Sequence, residues 1–571
     1  MVHVPLDRFL RFPELTEVLH GLTAEHPDLL ELSEVGRSSE DRPLWRCTVT
    51  NRATGPHSEK PAIWIDANIH ATELTGSTAA LHLVDRLVGE HGIDETVTRA
   101  VDTRTFYVVP RMGPDGAELA LAERPRFVRS SVRPWPRHDQ QDGLVRSDLD
   151  GDGRILSMRI PDPNGTWKPS GVDRRLLVPR EPTEEAGGPY YRLLAEGEIR
   201  GYDGVSIPRA PALAGLDMNR NYPVDWRPPG EDATSGPYPT SEPEVRAVVQ
   251  AIVDRPNICA FIQYHTYSGV QLRPYGNKAD DAMPTFDLRV FKEIGAKATE
   301  MTGYPALSVY HGFRYDPKDV ITGVADDWAY DHLGVHSWTT EFWNPLAAAG
   351  VEVGSFIDWW IEHPLDDDLK VLAWVDEHLP GRGYVDWYPW EHPQLGPVEL
   401  GGWDTAAWLS NPPPALLEAE VRPHPDWAIW HVLISPRLGI RQLEATPAGD
   451  GAWKVRLVVE NTGYLPTQVT QRAIERKSVR PVEAELALPE GCTLVAGDPR
   501  QELGQLDGRV LRHSMLGLFS MADDGTGDRA KAEWVVQAAA GTEIAVTARH
   551  QRGGVARSSV ILEATEPVRT G

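Results

Sequence analysis

The chain has 571 residues, and its 57 lysine and arginine residues stand against 83 aspartate and glutamate residues, which gives a formal net charge of −26. This length predicts two or more domains with sizeable cores. The acidic balance argues against nucleic acid or an anionic membrane as a partner, since both are negatively charged. We therefore expect a soluble protein whose charge favours cationic ligands.

The cysteines and the first residues indicate the cellular compartment. Cys47, Cys259 and Cys492 are far apart and show no metal-binding spacing, so we expect buried thiols rather than a disulfide framework. No secretion signal opens the sequence, and no apolar run reaches membrane-spanning length. These features predict a cytoplasmic protein, or a secreted one if an export signal has been removed. The sequence carries no signal for the oligomeric state.

One polar turn near the start of the chain combines two metal-binding residue types. An apolar run from Trp64 ends in a turn that holds His70 and Glu73, and residues 74–88 continue with helical periodicity. A strand, a loop and a helix are predicted in this order. An imidazole and a carboxylate on one turn suit two ligands of a catalytic zinc, which needs a third protein ligand and an open position. Alternatively, Glu73 only favours the helix dipole and His70 is an ordinary loop residue.

The first two thirds of the chain alternate between the two main secondary-structure patterns. Residues 9–30 show helical periodicity, residues 30–49 alternate as a hairpin does, and residues 104–109 form an apolar run. Later apolar runs end on His265 and on Glu341. This order predicts an α/β fold in which a mixed sheet is flanked by helices, with functional residues at the strand ends.

Residues 130–216 interrupt this rhythm with a stretch rich in proline, glycine and charge. Positions 1, 3 and 5 of a calcium-loop pattern are filled by Asp148, Asp150 and Asp152. Position 12 is Arg159 instead of the glutamate of an EF-hand, so Ca2+ would need another ligand, such as Asp162. The segment is either a calcium site or a solvated acidic turn, because adjacent carboxylates repel unless something neutralises them.

The last third of the chain has a different pattern. Residues 383–435 begin with a stretch dense in proline, glycine and tryptophan and predict a linker with a short helix. Beyond it, short segments alternate between apolar and polar residues without intervening helices, which predicts an all-β sandwich. We therefore expect a first domain at residues 1–382, which contains the insertion, a linker at residues 383–435 and a β-sandwich domain at residues 436–571.

Five motifs follow one another between residues 8 and 380. They are the His70/Glu73 pair, the segment from Arg126 to Arg129, the pair Asn219-Arg220, the segment His265-Thr266-Tyr267-Ser268, and Glu341. Their order resembles the funnelin zinc carboxypeptidases (carboxypeptidase A/B-like), and the long insertion is similar to that of large bacterial members. The resemblance implies a zinc-dependent metallocarboxypeptidase that hydrolyses the C-terminal peptide bond of a peptide with a free C-terminus. It also implies that three side chains bind Zn2+: His70, Glu73 and His265.

The resemblance assigns substrate-binding and catalytic roles to further residues. Asn219 and Arg220 bind the substrate's C-terminal carboxylate, for which a planar guanidinium is suited, and Tyr267 contacts the substrate. A surface salt bridge is the alternative for Arg220. Glu341 is the general base that takes a proton from the attacking water, and Arg129 stabilises the oxyanion. Other arginines close to Arg129 compete for this role: Arg124, Arg126 and Arg133.

The segment that begins with Asp326-Asp327-Trp328 bears on substrate preference. It resembles the same stretch in B-type members of the family, in which the first acid selects C-terminal lysine or arginine. Alternatively, Asp326 caps a helix or faces solvent. The family also has a mobile tyrosine upstream of this segment; Asp319 has the matching offset here, and Tyr315 is the nearest substitute.

Two other functions are compatible with these motifs. An amidase or deacylase that acts on cell-wall peptide fragments or acylated amino acids would use the same chemistry, and diaminopimelate also presents a cation. A non-catalytic binding protein on the same fold would have lost a metal ligand or the base, whereas this chain has all of them. The insertion at residues 130–216 is expected at the rim of the site, where it would restrict access to short peptides.

Overall fold

The computed structural model describes residues 3–314, 318–510 and 525–563. Helices and strands alternate in the first part of the chain. The helices are α1 (Phe12–Glu25), α2 (Thr75–Gly89), α3 (Glu95–Thr103) and α4 (Pro114–Ala120). The strands are β1 (Leu30–Arg37), β2 (Pro43–Val49), β3 (Ala62–Ala67) and β4 (Thr105–Val109).

The proline-rich insertion forms short strands. They are β5 (Gly143–Arg146), β6 (Ser157–Pro161), β7 (Trp167–Pro169), β8 (Leu177–Pro179), β9 (Tyr191–Ala195) and β10 (Gly197–Arg200). Strand β5 pairs antiparallel with β10, and β6 pairs antiparallel with β9. The acidic loop at residues 148–153 lies between β5 and β6.

The alternation of strands and helices resumes after the insertion. The strands are β11 (Ile258–Thr266), β12 (Val270–Arg273), β13 (Ala306–Ser308) and β14 (His336–Phe342). The helices are α5 (Pro243–Val253), α6 (Thr285–Thr302), α7 (Val309–Gly312), α8 (Ala325–Trp328), α9 (Pro345–Ala348), α10 (Phe356–Ile361) and α11 (Leu365–His378).

These strands build one mixed sheet with the order β1-β2-β4-β3-β11-β14-β12-β13. The central neighbours β4, β3, β11 and β14 are parallel, and β12 runs antiparallel to β14. Every residue of β3, β4, β11 and β14 is buried, which explains their unbroken apolar character. The predicted α/β fold is confirmed. Parallel pairing places His265 directly opposite Glu341 at the carboxyl ends of β11 and β14.

The stretch predicted to be a linker with a short helix contains strands as well as helices. Strands β15 (Tyr384–His392) and β16 (Gly396–Trp403) form an antiparallel hairpin, and β16 pairs with β6 of the insertion. Helices α12 (Pro414–Val421) and α13 (His424–Leu433) follow and contribute buried side chains to the main core. The partner strand lies more than 200 residues away in the chain, so no local pattern indicates the pairing. The domain boundaries at residues 383 and 436 stay predictions.

The C-terminal part is a β-sandwich. Its strands are β17 (Leu438–Gly449), β18 (Ala452–Asn461), β19 (Glu483–Ala487), β20 (Thr493–Ala496), β21 (Arg500–Glu502), β22 (Arg529–Gln537), β23 (Glu543–His550) and β24 (Gly554–Ile561), and α14 (Gln471–Arg476) follows β18. They form the antiparallel sheets β17-β18-β22-β20 and β21-β19-β23-β24 around one apolar core. The predicted β-sandwich is confirmed. It contacts the first domain through ion pairs of Arg472 and Arg476 with Asp331.

Two further observations concern the described residues as a whole. None of their helices is long and apolar enough to cross a lipid bilayer. The cysteines are free thiols: Cys47 and Cys259 are buried, and Cys492 is half-buried.

Candidate active site

The turn after β3 is shaped by Asn68, which brings His70 and Glu73 together. Asn68 has a left-handed backbone with a φ of 60°, a conformation that asparagine tolerates better than most residues. Its Nδ2 donates to the carbonyl oxygens of His70 and Glu73 at 2.8 and 3.1 Å. As a result, His70 Nδ1 lies 2.8 Å from Glu73 Oε1.

His265 reaches the same point from the end of β11. Its Nδ1 lies 2.9 Å from Glu73 Oε2 and 3.2 Å from His70 Nδ1. The three residues each offer one ligand atom, and these atoms lie within 4.8 Å of one another. All three side chains are buried. Two imidazoles and one carboxylate that converge in this way fit the ligand set of a Zn2+ ion.

Hydrogen bonds on the far side of each imidazole fix its orientation. His70 Nε2 lies 3.1 Å from Asp217 Oδ1, and His265 Nε2 lies 2.7 Å from Gln263 Oε1. Carboxylate and carbonyl partners of this kind hold metal-binding histidines in one tautomer and one ring position. With each Nε2 bonded in this way, the Nδ1 atoms of both histidines face Glu73. This arrangement supports the assignment of the three residues as metal ligands.

Asp217 and Gln263 were not predicted from the sequence, although each has a local signal. Asp217 precedes Asn219 by two residues, and its side chain accepts a hydrogen bond from the Asn219 backbone N at 2.8 Å. Gln263 lies two residues before His265 on β11, and alternate residues of a strand share one face. A polar residue two positions before a predicted site residue is therefore a candidate for a hydrogen bond within the site.

Arg129 is the arginine of its segment that lies at the metal site. Its Nε donates to Asp217 Oδ2 at 2.9 Å, and its Nη1 lies 3.4 Å from Glu73 Oε1. The other arginines considered do not line the cavity that the described residues form around this site: Arg124, Arg126 and Arg133. The geometry thus places one guanidinium of this segment beside the three candidate ligands.

Glu341 faces the same site from the end of β14. It is 9% exposed, and its Oε2 has no hydrogen-bond partner among the described residues. Burial raises the pKa of Glu341 well above its ordinary value; Glu73 and Asp326 act in the same direction, and Arg129 opposes them. A buried carboxyl with a raised pKa beside a metal site is typical of a general base.

Asn219 and Arg220 lie together in the short helical turn Met218–Arg220. Asn219 Oδ1 accepts from the Ala325 backbone N at 3.0 Å, and Arg220 Nη1 donates to the Asn219 carbonyl at 2.8 Å. Arg220 Nη1 lies 3.9 Å from Asp217 Oδ2, and the Arg220 side chain is 17% exposed. Both side chains line the cavity with donors that suit a carboxylate.

Asp326 is neither a helix cap nor exposed to solvent. The N-cap of α8 is Val324, and Asp326 is 4% exposed. Burial raises the pKa of Asp326 to about 6, whereas Arg220 and Thr339 favour its charged form. Apolar side chains line the cavity together with it: Leu272, Val309, Phe313, Ile321 and Val324. An acid in apolar surroundings suits a long side chain with a cationic end.

All the predicted zinc, catalytic and substrate residues within the described part line one cavity of about 720 Å³: His70, Glu73, Arg129, Asn219, Arg220, His265, Tyr267, Asp326 and Glu341. Tyr267 packs edge to face against Trp360, with 6.0 Å between ring centroids. Trp360 was not predicted as a site residue. Tyr315 lies outside the described residues.

The acidic loop lies apart from this cavity. Asp148, Asp150 and Glu196 place carboxylate oxygens within 4.8 Å of one another. Glu196 is buried and accepts from the backbone N of Leu149 and Leu156 at 2.6 and 2.8 Å. Asp152 forms an ion pair with a neighbouring arginine, and Asp162 forms one elsewhere. The structure thus groups Glu196, rather than Asp152 or Asp162, with the first two aspartates.

Comparison with known proteins relates this chain to characterised families. Residues 15–347, more than half of the chain, match the zinc carboxypeptidase family, and residues 437–561 match a domain family of unknown function. Carboxypeptidase A2 of Rattus norvegicus is 27% identical over 328 residues, which cover 56% of this chain and 59% of that protein. Carboxypeptidase B2 of Rattus norvegicus is 25% identical over 344 residues, with coverages of 59% and 63%. The chain thus spans about three fifths of the length of these relatives.

A solved structure of thrombin activatable fibrinolysis inhibitor is also similar. It is 21% identical, covers 65% of this chain and 77% of its own, and has a TM-score of 0.39. The family match spans all five motifs and the site in which the structure brings them together. This chain belongs to the zinc carboxypeptidase family.

Proposed function

We propose that this protein is a zinc-dependent metallocarboxypeptidase that removes the C-terminal residue of peptides and prefers lysine or arginine at that position. The observation that carries the proposal is the convergence of the buried His70, Glu73 and His265 donors in one cavity with Glu341 and Arg220. A Zn2+ ion held by these ligands would polarise a carbonyl oxygen and lower the pKa of a water molecule.

Arg220 and Asn219 recognise the end of the substrate. The Arg220 guanidinium offers parallel N–H donors to the terminal carboxylate, and the Asn219 amide is held in place by its bond to Ala325. A peptide without a free carboxylate would leave these N–H donors of Arg220 without the acceptor that they fit. Binding at this point therefore selects the last peptide bond of the chain.

Glu341 and Arg129 act on the scissile bond. Glu341 takes a proton from the attacking water and passes it to the leaving amine, for which a raised pKa is the useful direction. Arg129, oriented by its bond to Asp217, donates to the oxygen on which negative charge develops. Glu341 thus serves proton transfer, and Arg129 serves charge stabilisation.

Asp326 selects the side chain of the last residue. Its buried carboxylate would pair with the ammonium or guanidinium group of a basic residue whose stem lies along the apolar wall. The same acid suits the ammonium group of diaminopimelate, so an amidase that acts on cell-wall peptides is the second candidate function.

The test is a set of peptides that differ only at the C-terminus. The zinc-loaded protein should remove one residue from a peptide acid that ends in arginine and leave its C-terminal amide intact, as measured by mass spectrometry. Equal cleavage of acid and amide would contradict exopeptidase action. Faster cleavage of a γ-glutamyl-diaminopimelate peptide than of the arginine peptide would favour the amidase.

A further inference from the structure

Part of the proposed active site is held by a segment that the family match does not include. This segment, residues 408–420, follows the β15–β16 hairpin and includes most of α12, and we name it the brace. The family match ends at residue 347. The brace contacts the turn that carries Glu73 and also the chain that follows Glu341.

Asn411 of the brace binds the metal-site turn through both ends of its side-chain amide. Its Oδ1 accepts from the backbone N of Leu74 at 2.9 Å, and from the backbone N and Oγ1 of Thr75, both at 3.0 Å. Its Nδ2 donates to the Thr72 carbonyl at 2.7 Å. Asn411 is 8% exposed. The backbone on either side of Glu73 is therefore tied to one side chain.

These bonds replace a cap that α2 lacks in its own sequence. The residue at the N-cap of α2 is Leu74, which has no side chain that can accept a hydrogen bond. The first N–H groups of a helix need acceptors, and a polar side chain usually supplies one from the N-cap position. Here the acceptor comes from Asn411, more than 330 residues along the chain, so the start of α2 depends on the brace.

The brace also holds the turn after Glu341. Trp343 has a φ of 64°, a left-handed conformation that is unfavourable for a bulky residue. Its backbone N donates to Glu420 Oε1 at 2.7 Å, and its Nε1 donates to the Trp408 carbonyl at 2.6 Å. The two sides of the metal site are thus attached to one segment.

We propose that Asn411 is a positioning residue for the metal ligand Glu73: it fixes the turn from Thr72 to Thr75 and thereby sets the affinity of the three-ligand site for Zn2+. This inference rests on the proposed function, since it takes that site to bind zinc. Loss of a residue that orients a ligand typically weakens metal binding about 10- to 100-fold.

The experiment compares zinc dissociation constants, measured in the full-length protein by competition with a chromophoric chelator and without substrate. Asn411→Ala should bind Zn2+ about 10- to 100-fold more weakly than the parent. Asn411→Asp keeps an acceptor for Leu74 and Thr75 but loses the donor to Thr72, so its dissociation constant should lie between the two. If Asn411→Ala does not fold, Asn411→Asp still tests the positioning role of Asn411.

Asn461→Ala is the matched control. Asn461 lies in the β-sandwich and is 3% exposed. Like Asn411 it makes four side-chain hydrogen bonds, here all to backbone atoms. Its Nδ2 donates to the carbonyls of Leu465 and Asp507, both at 2.9 Å, and its Oδ1 accepts from the backbone N of Arg437 and Gly463 at 2.9 and 3.0 Å. Asn461→Ala should lower the melting temperature about as much as Asn411→Ala does and leave the zinc affinity unchanged.

Three results would overturn parts of the account in different ways. The positioning role would be refuted if both Asn411 variants bound Zn2+ as tightly as the parent. It would also be refuted if Asn461→Ala weakened zinc binding as much as Asn411→Ala does. A parent protein that binds no Zn2+ would refute both this inference and the proposed function. A parent that binds Zn2+ but cleaves no peptide would refute the proposed function alone, because the comparison of dissociation constants still decides the role of Asn411.

Discussion

Replacement of Asp326 by asparagine should change which C-terminal residue the protein prefers. Asp326 is 4% exposed and lies in an apolar wall, so a bound lysine or arginine side chain would form a buried charge pair with it. Removal of one partner from such a pair costs about 2–5 kcal/mol. This corresponds to a loss of about 30- to 5,000-fold in kcat/KM for a basic C-terminal residue, whereas a substrate that ends in leucine should change little.

The assay compares two peptides that differ only in a C-terminal arginine or leucine. Asp327→Asn is the control, since Asp327 is equally buried and adjacent. Its carboxylate accepts from the Gly276 backbone N at 3.1 and 3.0 Å and does not line the cavity that the described residues form. Asp326→Asn should lower the arginine-to-leucine ratio of kcat/KM, and Asp327→Asn should preserve it. An unchanged ratio in Asp326→Asn would refute the assignment.

The pH dependence of the same ratio provides a second check. Burial raises the pKa of Asp326 to about 6, so its carboxyl is neutral below that pH and charged above it. The preference for arginine should therefore be greatest well above pH 6 and should decrease as the pH falls through this value. Asp326→Asn should show no such change, and a pH-independent ratio in the parent would contradict the role of this carboxylate.

Three further predictions concern other parts of the protein. Glu341→Gln should retain zinc by metal analysis and lose about 10²- to 10⁴-fold in kcat; turnover near that of the parent would remove Glu341 from the mechanism. Arg220→Ala should lose about 1.5–3 kcal/mol of binding to the terminal carboxylate, seen as a lower kcat/KM, and Arg220→Lys should restore only part of it, because lysine is not bidentate. Parent-like kcat/KM in Arg220→Ala would exclude this contact. Calorimetry with Ca2+ should show binding and a raised melting temperature that Asp148→Asn abolishes, and no heat in the parent would refute the calcium site.

The fold was predictable because its signals are local, and the family resemblance named the three candidate zinc ligands. The buried parallel strands appear as unbroken apolar runs, and each ligand directly follows such a run or lies one turn beyond it. Parallel strands end at the same edge of a sheet, and the structure places His265 and Glu341 directly opposite each other there. Arg129 also followed from its motif, but only the structure separates it from its neighbouring arginines.

The unpredicted features depend on contacts between distant segments. The composition of the residues that form the β15–β16 hairpin predicts a linker, whereas in the structure β16 pairs with a strand of the insertion. Glu196 joins the acidic loop only because β9 and β10 return beside it, and Asn411 meets Thr75 across more than 330 residues. Hydrogen bonds of this kind leave no periodicity in the sequence, so they become visible only when the chain is folded.

The most direct test of the central claim is a zinc-dependent measurement of exopeptidase action. A peptide acid that ends in arginine is incubated with the metal-free protein, Zn2+ is then added, and the peptide mass is followed over time. We predict no cleavage before the addition and loss of the terminal arginine alone afterwards. Internal fragments, or turnover that does not depend on Zn2+, would contradict a zinc carboxypeptidase built from His70, Glu73 and His265.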